Sequence, residues 1–229
     1  MQGTRALVLG SVAAMAIVSL FLLVLRFVDP PTSALMLTQS LYGQEIDNRW
    51  VPLSRVSPNL VRAIILSEDN KFCSHYGIDM GEMRAALSKA DRDGEDALRG
   101  ASTISQQVAK NLALWPGRSA VRKLLELGIT LPMEVMWPKS RIMEVYLNIA
   151  EWGPGIFGAE AASQYHFSKP ASRLSQKEAA LLAVALPNPF DRVAGKPGQG
   201  TQRLASTIEG RMSAASGSSR FDCVLNRRK

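Results

Sequence analysis

Residues 6–25, ALVLGSVAAMAIVSLFLLVL, carry neither a charge nor a proline. Wound as an α-helix, twenty residues rise roughly 30 Å, about the thickness of bilayer hydrocarbon. A cleaved signal peptide has an apolar core of only about 7–15 residues and then a small-x-small site. Here the core is longer and RFVDPP follows it, so residues 1–28 are expected to form an uncleaved membrane anchor. Charge does not set its orientation. Arg5 and the amino terminus are nearly matched by Arg26, and a long following domain can cross a membrane whatever its own charge.

Roughly 200 residues remain, enough to bury a real core in one domain. The chain has 27 Lys and Arg against 20 Asp and Glu, a net charge of +7. Such a balance suits nucleic acid, an anionic membrane surface or a phosphate-bearing substrate. The anchor makes nucleic acid the least attractive of these, and no RNA-binding aromatic signature, zinc-finger spacing or basic zipper is present. Two cysteines, Cys73 and Cys223, make no disulfide framework and are expected as unlinked thiols. His75 and His166 lack companion ligands, so no metal site is expected.

The stretch 29–49 is broken by prolines and polar residues and is expected to link the anchor to a domain over 50–190. Ser57-Pro58 is a good helix start, N-cap then first-turn proline, for a helix over 58–70. Residues 88–100, SKADRDGEDALRG, are charged and glycine-broken, which predicts a mobile surface segment. STISQQVAKNLAL should be a helix capped by Ser102, and another should start near Arg118 and end or kink at Pro132. A helix from about Ser140 has Ile142, Val145, Tyr146 and Ile149 as its core stripe. WGPGIFG is a glycine-rich turn. Ser175 and Glu178 form a capping box before a buried helix. The basic extension over 191–229 is expected to be loosely ordered at its end. With no clear period-two runs, the domain should be mainly α.

One feature breaks the pattern. In PNLVRAIILSED, residues Leu60, Val61, Ile64 and Ile65 make an apolar stripe that Glu68 continues. A carboxylate on a buried face costs free energy unless it is paired, hydrogen-bonded or protonated. A second candidate, Glu126, follows Arg118, Arg122 and Lys123; on its own, the i, i+4 pair Arg122–Glu126 is as well read as a surface ion pair. Between them, Thr103, Gln106, Gln107 and Lys110 share one helix face, either a solvated surface or a platform for a polar anionic ligand. Two carboxylates suit glycosyl chemistry, and the surplus of cations suits a phosphate leaving group.

These segments carry a resemblance. EDNKFCSHYG (68–77) is similar to the E-D-x-x-F-x-x-H-x-G motif of peptidoglycan glycosyltransferases, the domain shared with bifunctional penicillin-binding proteins. GASTISQQVAKN (100–111), RKLLE (122–126) and KSRIMEVYLN (139–148) resemble the second, third and fourth motifs, and the continuation to residue 190 resembles the monofunctional branch. The resemblance implies a lysozyme-like helical domain, preceded by one transmembrane helix, on the periplasmic side of the inner membrane. It implies polymerisation of lipid II with inversion at the anomeric carbon. On that reading Glu68 is the general base and Glu126 the second essential carboxylate. Lys110, Arg122 and Lys123 would neutralise pyrophosphate, and Ser102, Gln106, Gln107 and Asn111 would shape the donor subsite. Asp69, Phe72 and His75 would support the motif, and Tyr146 and Asn148 would be scaffold. No cofactor is required; a divalent metal (Mg or Mn) stays open, as do other cell-wall synthesis proteins as partners.

Two rivals remain at this stage: a lytic transglycosylase or muramidase that cleaves glycan, and an inactive lipid II-binding scaffold. A serine transpeptidase is excluded, because no S-x-x-K occurs. The segment 78–89, with Ile78, Met80, Met83 and Leu87, could pack in the core or lie shallowly in lipid.

Overall fold

A computed structural model describes residues 2–93, 102–117 and 119–226. The apolar segment is helix α1 (Gln2–Phe27), of which Leu9–Phe27 is long and apolar enough to cross a membrane. The last carbonyls of a helix have no partner within it. Of these, Leu25 O accepts from Arg141, which also donates to Val28 O and Asp29 just past the helix, and the Trp137 indole donates to Leu22 O one turn earlier at 2.7 Å. With Leu22 and Leu25 buried, the anchor's end is fastened to the domain.

After α2 (Ala34–Leu41) and β1 (Asp47–Asn48) comes α3 (Pro58–Glu68). Ser57 caps it as expected, its Oγ accepting from Asn59 N. α4 (Met80–Asp93) precedes α5 (Ile104–Ala113), α6 (Ala120–Met136) and α7 (Lys139–Ile149). β2 (Glu151–Gly153) and β3 (Ile156–Phe157) form a hairpin, followed by α8 (Ala159–Phe167), α9 (Gln176–Ala185), α10 (Gln199–Ala214) and α11 (Asp222–Leu225). α9, buried from Ala179 to Ala185, packs on α3 and α10; α5 packs on α6 and α7. The stripe Ile142, Val145, Tyr146 and Ile149 is buried, and the Ser175–Glu178 capping box forms.

Several expectations change. The segment read as a linker holds α2 and β1, and β1 pairs parallel with β3, which pairs antiparallel with β2. The predicted turn is therefore a small three-stranded sheet. Gly155, at φ +73°, makes it possible: a Cβ there would lie 2.1 Å from Glu45 O. Runs of two or three residues are too short to show a period in sequence. Thr103, not Ser102, caps α5, in a capping box with Gln106. Pro132 does not end α6. The bond it forgoes is that of the Gly128 carbonyl, at an exposed position open to solvent, while buried Thr130, Met133 and Glu134 hold the helix on both sides.

Of the segment expected to be mobile, residues 88–93 belong to α4 and 94–100 lie outside the described residues. Arg118 does too. The C-terminal region is ordered through residue 226: α10 packs on α9 and α3, and α11 on α7. That return brings Cys223 to Cys73, with Cα atoms 5.6 Å apart, and the two are joined in a disulfide rather than free. Separation in sequence says nothing about distance once a helix carries the chain back across the core.

Candidate active site

Glu68 is the last residue of α3, where the apolar stripe meets a groove, and it is half-buried. Gln107 Nε2 donates to its Oε2 at 3.0 Å, and Ser67 Oγ lies 3.4 Å from Oε1. Burial pushes the Glu68 carboxyl above the usual carboxylate range; the bonds from Gln107 and Ser67 counter that only in part. Tyr146, fully buried behind it, reaches Gln107 Oε1 at 3.5 Å, which orients the amide so that its NH2 faces Glu68.

Asp69 looks the other way. Its carboxylate accepts from Ile104 N at 3.0 Å, at the start of α5, and from His75 Nε2 at 2.9 Å. Because His75 Nδ1 accepts from Gly77 N, the ring proton sits on Nε2. Asp69 and His75 thus tie the loop after α3 to α5. Phe72 is fully buried, with Lys139 Nζ 4.4 Å above its ring. Gly77, at φ +85°, lies where a Cβ would be 2.8 Å from Thr130 Cγ2.

Glu126 faces inward from α6 and is buried, paired with Lys123 rather than with Arg122. Lys123 Nζ also reaches Ser102 Oγ at 3.4 Å. Lys110 is half-buried on α5. Burial lowers its pKa, as do Arg122 and Lys123, while Glu126 and Glu68 counteract the shift. One ammonium therefore stands in the fields of both carboxylates. The Arg122 Nε is buried with no hydrogen-bond partner among the described residues.

Most of the expected site thus comes together: Glu68, Gln107, Lys110, Arg122, Lys123, Glu126 and Ser102. Gln106 does not. It is buried, and its side chain accepts from Thr103 N inside the capping box, so it shapes α5 and not a subsite. Asn111 is half-buried one turn past Gln107. Asn148 is scaffold, bonding Val51 N and O at 2.9 Å each. Among the described residues no group of three or more His, Cys, Asp or Glu could hold a metal. Glu126 is surrounded by cations, so these residues do not by themselves build a dication site.

Sequence reasoning missed a buried network: Ser105 donates to Glu134, which also takes Lys139 Nζ at 2.7 Å. The signal was present in α6, where Glu126, Thr130 and Glu134 recur every fourth residue and all face inward.

The sequence profile of the transglycosylase family matches residues 35–212. The chain belongs to that family. A protein of Agrobacterium fabrum (strain C58) named biosynthetic peptidoglycan transglycosylase is 54% identical over 196 residues, 86% of this chain and 85% of the relative. Proteins of the same name from Rhizobium meliloti (strain 1021) and Rhodospirillum centenum (strain ATCC 51521 / SW) are 49% and 51% identical over 202 residues, 88% of this chain in each case and 84% and 87% of the relatives.

Proposed function

We propose that this peptidoglycan glycosyltransferase takes lipid II, an undecaprenyl-pyrophosphate-linked disaccharide-pentapeptide, as donor and acceptor and joins the sugars into glycan strands. Glu68 removes the proton of the acceptor's 4-hydroxyl. That oxygen attacks the donor's anomeric carbon from the face opposite the leaving group, the bond to pyrophosphate breaks, and configuration inverts. Lys110, Arg122 and Lys123 neutralise the charge that develops on the departing pyrophosphate. Glu126 keeps those cations gathered while no substrate is present.

The observation that carries this reading is Lys110, whose charge is felt by two carboxylates of different surroundings. A raised carboxyl pKa alone would equally suit the acid of a muramidase. A muramidase, however, expels a sugar hydroxyl and has no use for three cations at its second carboxylate.

Placement at a membrane is supported by α6, whose outward face is apolar: Val121, Leu124, Leu131 and Val135 are exposed beside the packed anchor. On α4, Met80 is also exposed, which favours the lipid-facing reading of that segment over core packing. The Cys73–Cys223 disulfide supports a catalytic domain in an oxidising compartment, hence on the periplasmic side. The test is incubation of the purified full chain with labelled lipid II. Polymer that a muramidase digests is the expected product, and cleavage of preformed glycan with no polymerisation would overturn the reading.

A further inference from the structure

Glu68 and its neighbours Asn70, Ser102 and Thr103 line a cavity of about 300 Å³ whose wall includes Arg211 of α10. A second cavity, of about 450 Å³, shares Leu66, Asn70 and Arg211 and is closed by Ala214, Ser218 and Arg220. The groove at the base thus runs on past it, away from Lys123, along a wall made by the C-terminal segment. That wall is fixed in place. Arg220 donates to Asn70 Oδ1 at 2.9 Å, and the Cys73–Cys223 disulfide fastens the same loop.

Charge is divided along this groove: the cavity at Glu68 is lined by four carboxylates with Lys71 and Arg211, the second only by Arg211 and Arg220 among charged residues. Asp69 is taken by His75 and the α5 amide, and Asp79 by Lys71 at 3.1 Å, with Glu82 at 3.8 Å from the same ammonium. Arg220 is held by a neutral amide oxygen, and Arg211 has no ion-pair or hydrogen-bond partner among the described residues. The second cavity, beyond Glu68, is therefore lined by two guanidinium groups and no carboxylate. A guanidinium fork matches a carboxylate or a diphosphate bidentately.

We infer that Arg211, with Arg220 beside it, binds an anionic group of the acceptor while Glu68 holds the acceptor's hydroxyl. This rests on the assignment of Glu68 as base. An acceptor extending past Glu68 offers two such groups, the stem-peptide carboxylates and its own pyrophosphate, and either would be met by the same chemistry.

The experiment compares wild type, Arg211→Ala and Arg211→Lys on lipid II and on lipid II whose peptide carboxyls are amidated. Arg211→Ala should lower kcat/KM about tenfold, mainly through KM, as expected for one lost charge-assisted contact. Arg211→Lys should recover part of that, and the exposed position should leave Tm unchanged. If amidation removes the gap between wild type and Arg211→Ala, the partner is a carboxylate; if the gap persists, it is the pyrophosphate. Equal kinetics of wild type and Arg211→Ala on unmodified lipid II would overturn the inference. Failure of wild type to polymerise lipid II would instead sink the proposed activity itself.

Discussion

Helices α3 and α6 each deliver a carboxylate to the groove, and they do so in opposite ways. α3 is an ordinary core helix whose buried face is Leu60, Val61, Ile64 and Ile65, with Glu68 at its final turn. α6 is turned inside out. Its buried face is Glu126, Thr130 and Glu134 with only Met133 apolar among them, and its exposed face includes Val121, Leu124, Leu131 and Val135. The first helix desolvates its carboxylate and gives it only neutral donors, so its affinity for a proton rises. The second surrounds its carboxylate with ammonium and guanidinium groups. One residue type thereby meets a neutral or a cationic environment, according to what its helix packs against.

The largest effect expected from this contrast is that of Glu68→Gln. The amide keeps the shape but cannot take a proton, so polymerisation should fall at least about 10²-fold. Thermal stability should move the other way. A carboxyl whose pKa is raised on folding adds stability below its unfolded pKa and loses it as pH rises through the folded value. Glu68→Gln should therefore be no less stable than wild type at neutral pH, with the comparison shifting towards wild type as pH falls to the ordinary carboxylate range. A clear drop in Tm at pH 7 would count against the assignment. In wild type, the rate should rise with pH above that range as Glu68 ionises. It should fall before the usual lysine range, because Lys110, whose pKa is lowered, must stay charged.

Glu126→Gln should also cut activity by more than about tenfold, but here stability should fall with it. Removing the counter-charge leaves Lys110, Arg122 and Lys123 facing one another, a loss of about 1 kcal/mol once the solvent exposure of Lys123 is allowed for. If Glu126→Gln and Glu68→Gln shift Tm in the same direction, the contrast between the helices is broken.

Reduction of the disulfide, or the Cys73→Ser/Cys223→Ser pair, should cost about 2–4 kcal/mol. Because the bridge also fastens the loop that carries Arg220, KM should rise as Tm falls, while kcat per folded molecule changes less. The smallest effect belongs to the outer face of α6. Val135→Asp should weaken association with vesicles about tenfold, since about 1.5 kcal/mol of apolar transfer is lost. Activity in detergent, where enzyme and substrate share a micelle, should be nearly unaffected. Equal vesicle binding would mean that the anchor alone holds the protein at lipid.

Legible without any coordinates were an apolar first helix long enough to cross a membrane, a mainly α domain, and the carboxylates with most of the cations near them. Each was legible because it depends on local periodicity, on capping, or on a motif in which residue type and spacing carry the chemistry. Even so, Gln106 shares its face with Gln107, and only packing separates a cap from a ligand of Glu68. Tertiary structure alone decided that Cys223 reaches Cys73, that Pro132 is carried through α6, and that Arg211 lines the groove of Glu68. All three are contacts or burial between segments far apart in the chain. No local pattern encodes them: the first and third arise when α10 and α11 fold back over α9, α3 and α7, and the second from the packing of α6 on α5 and α1.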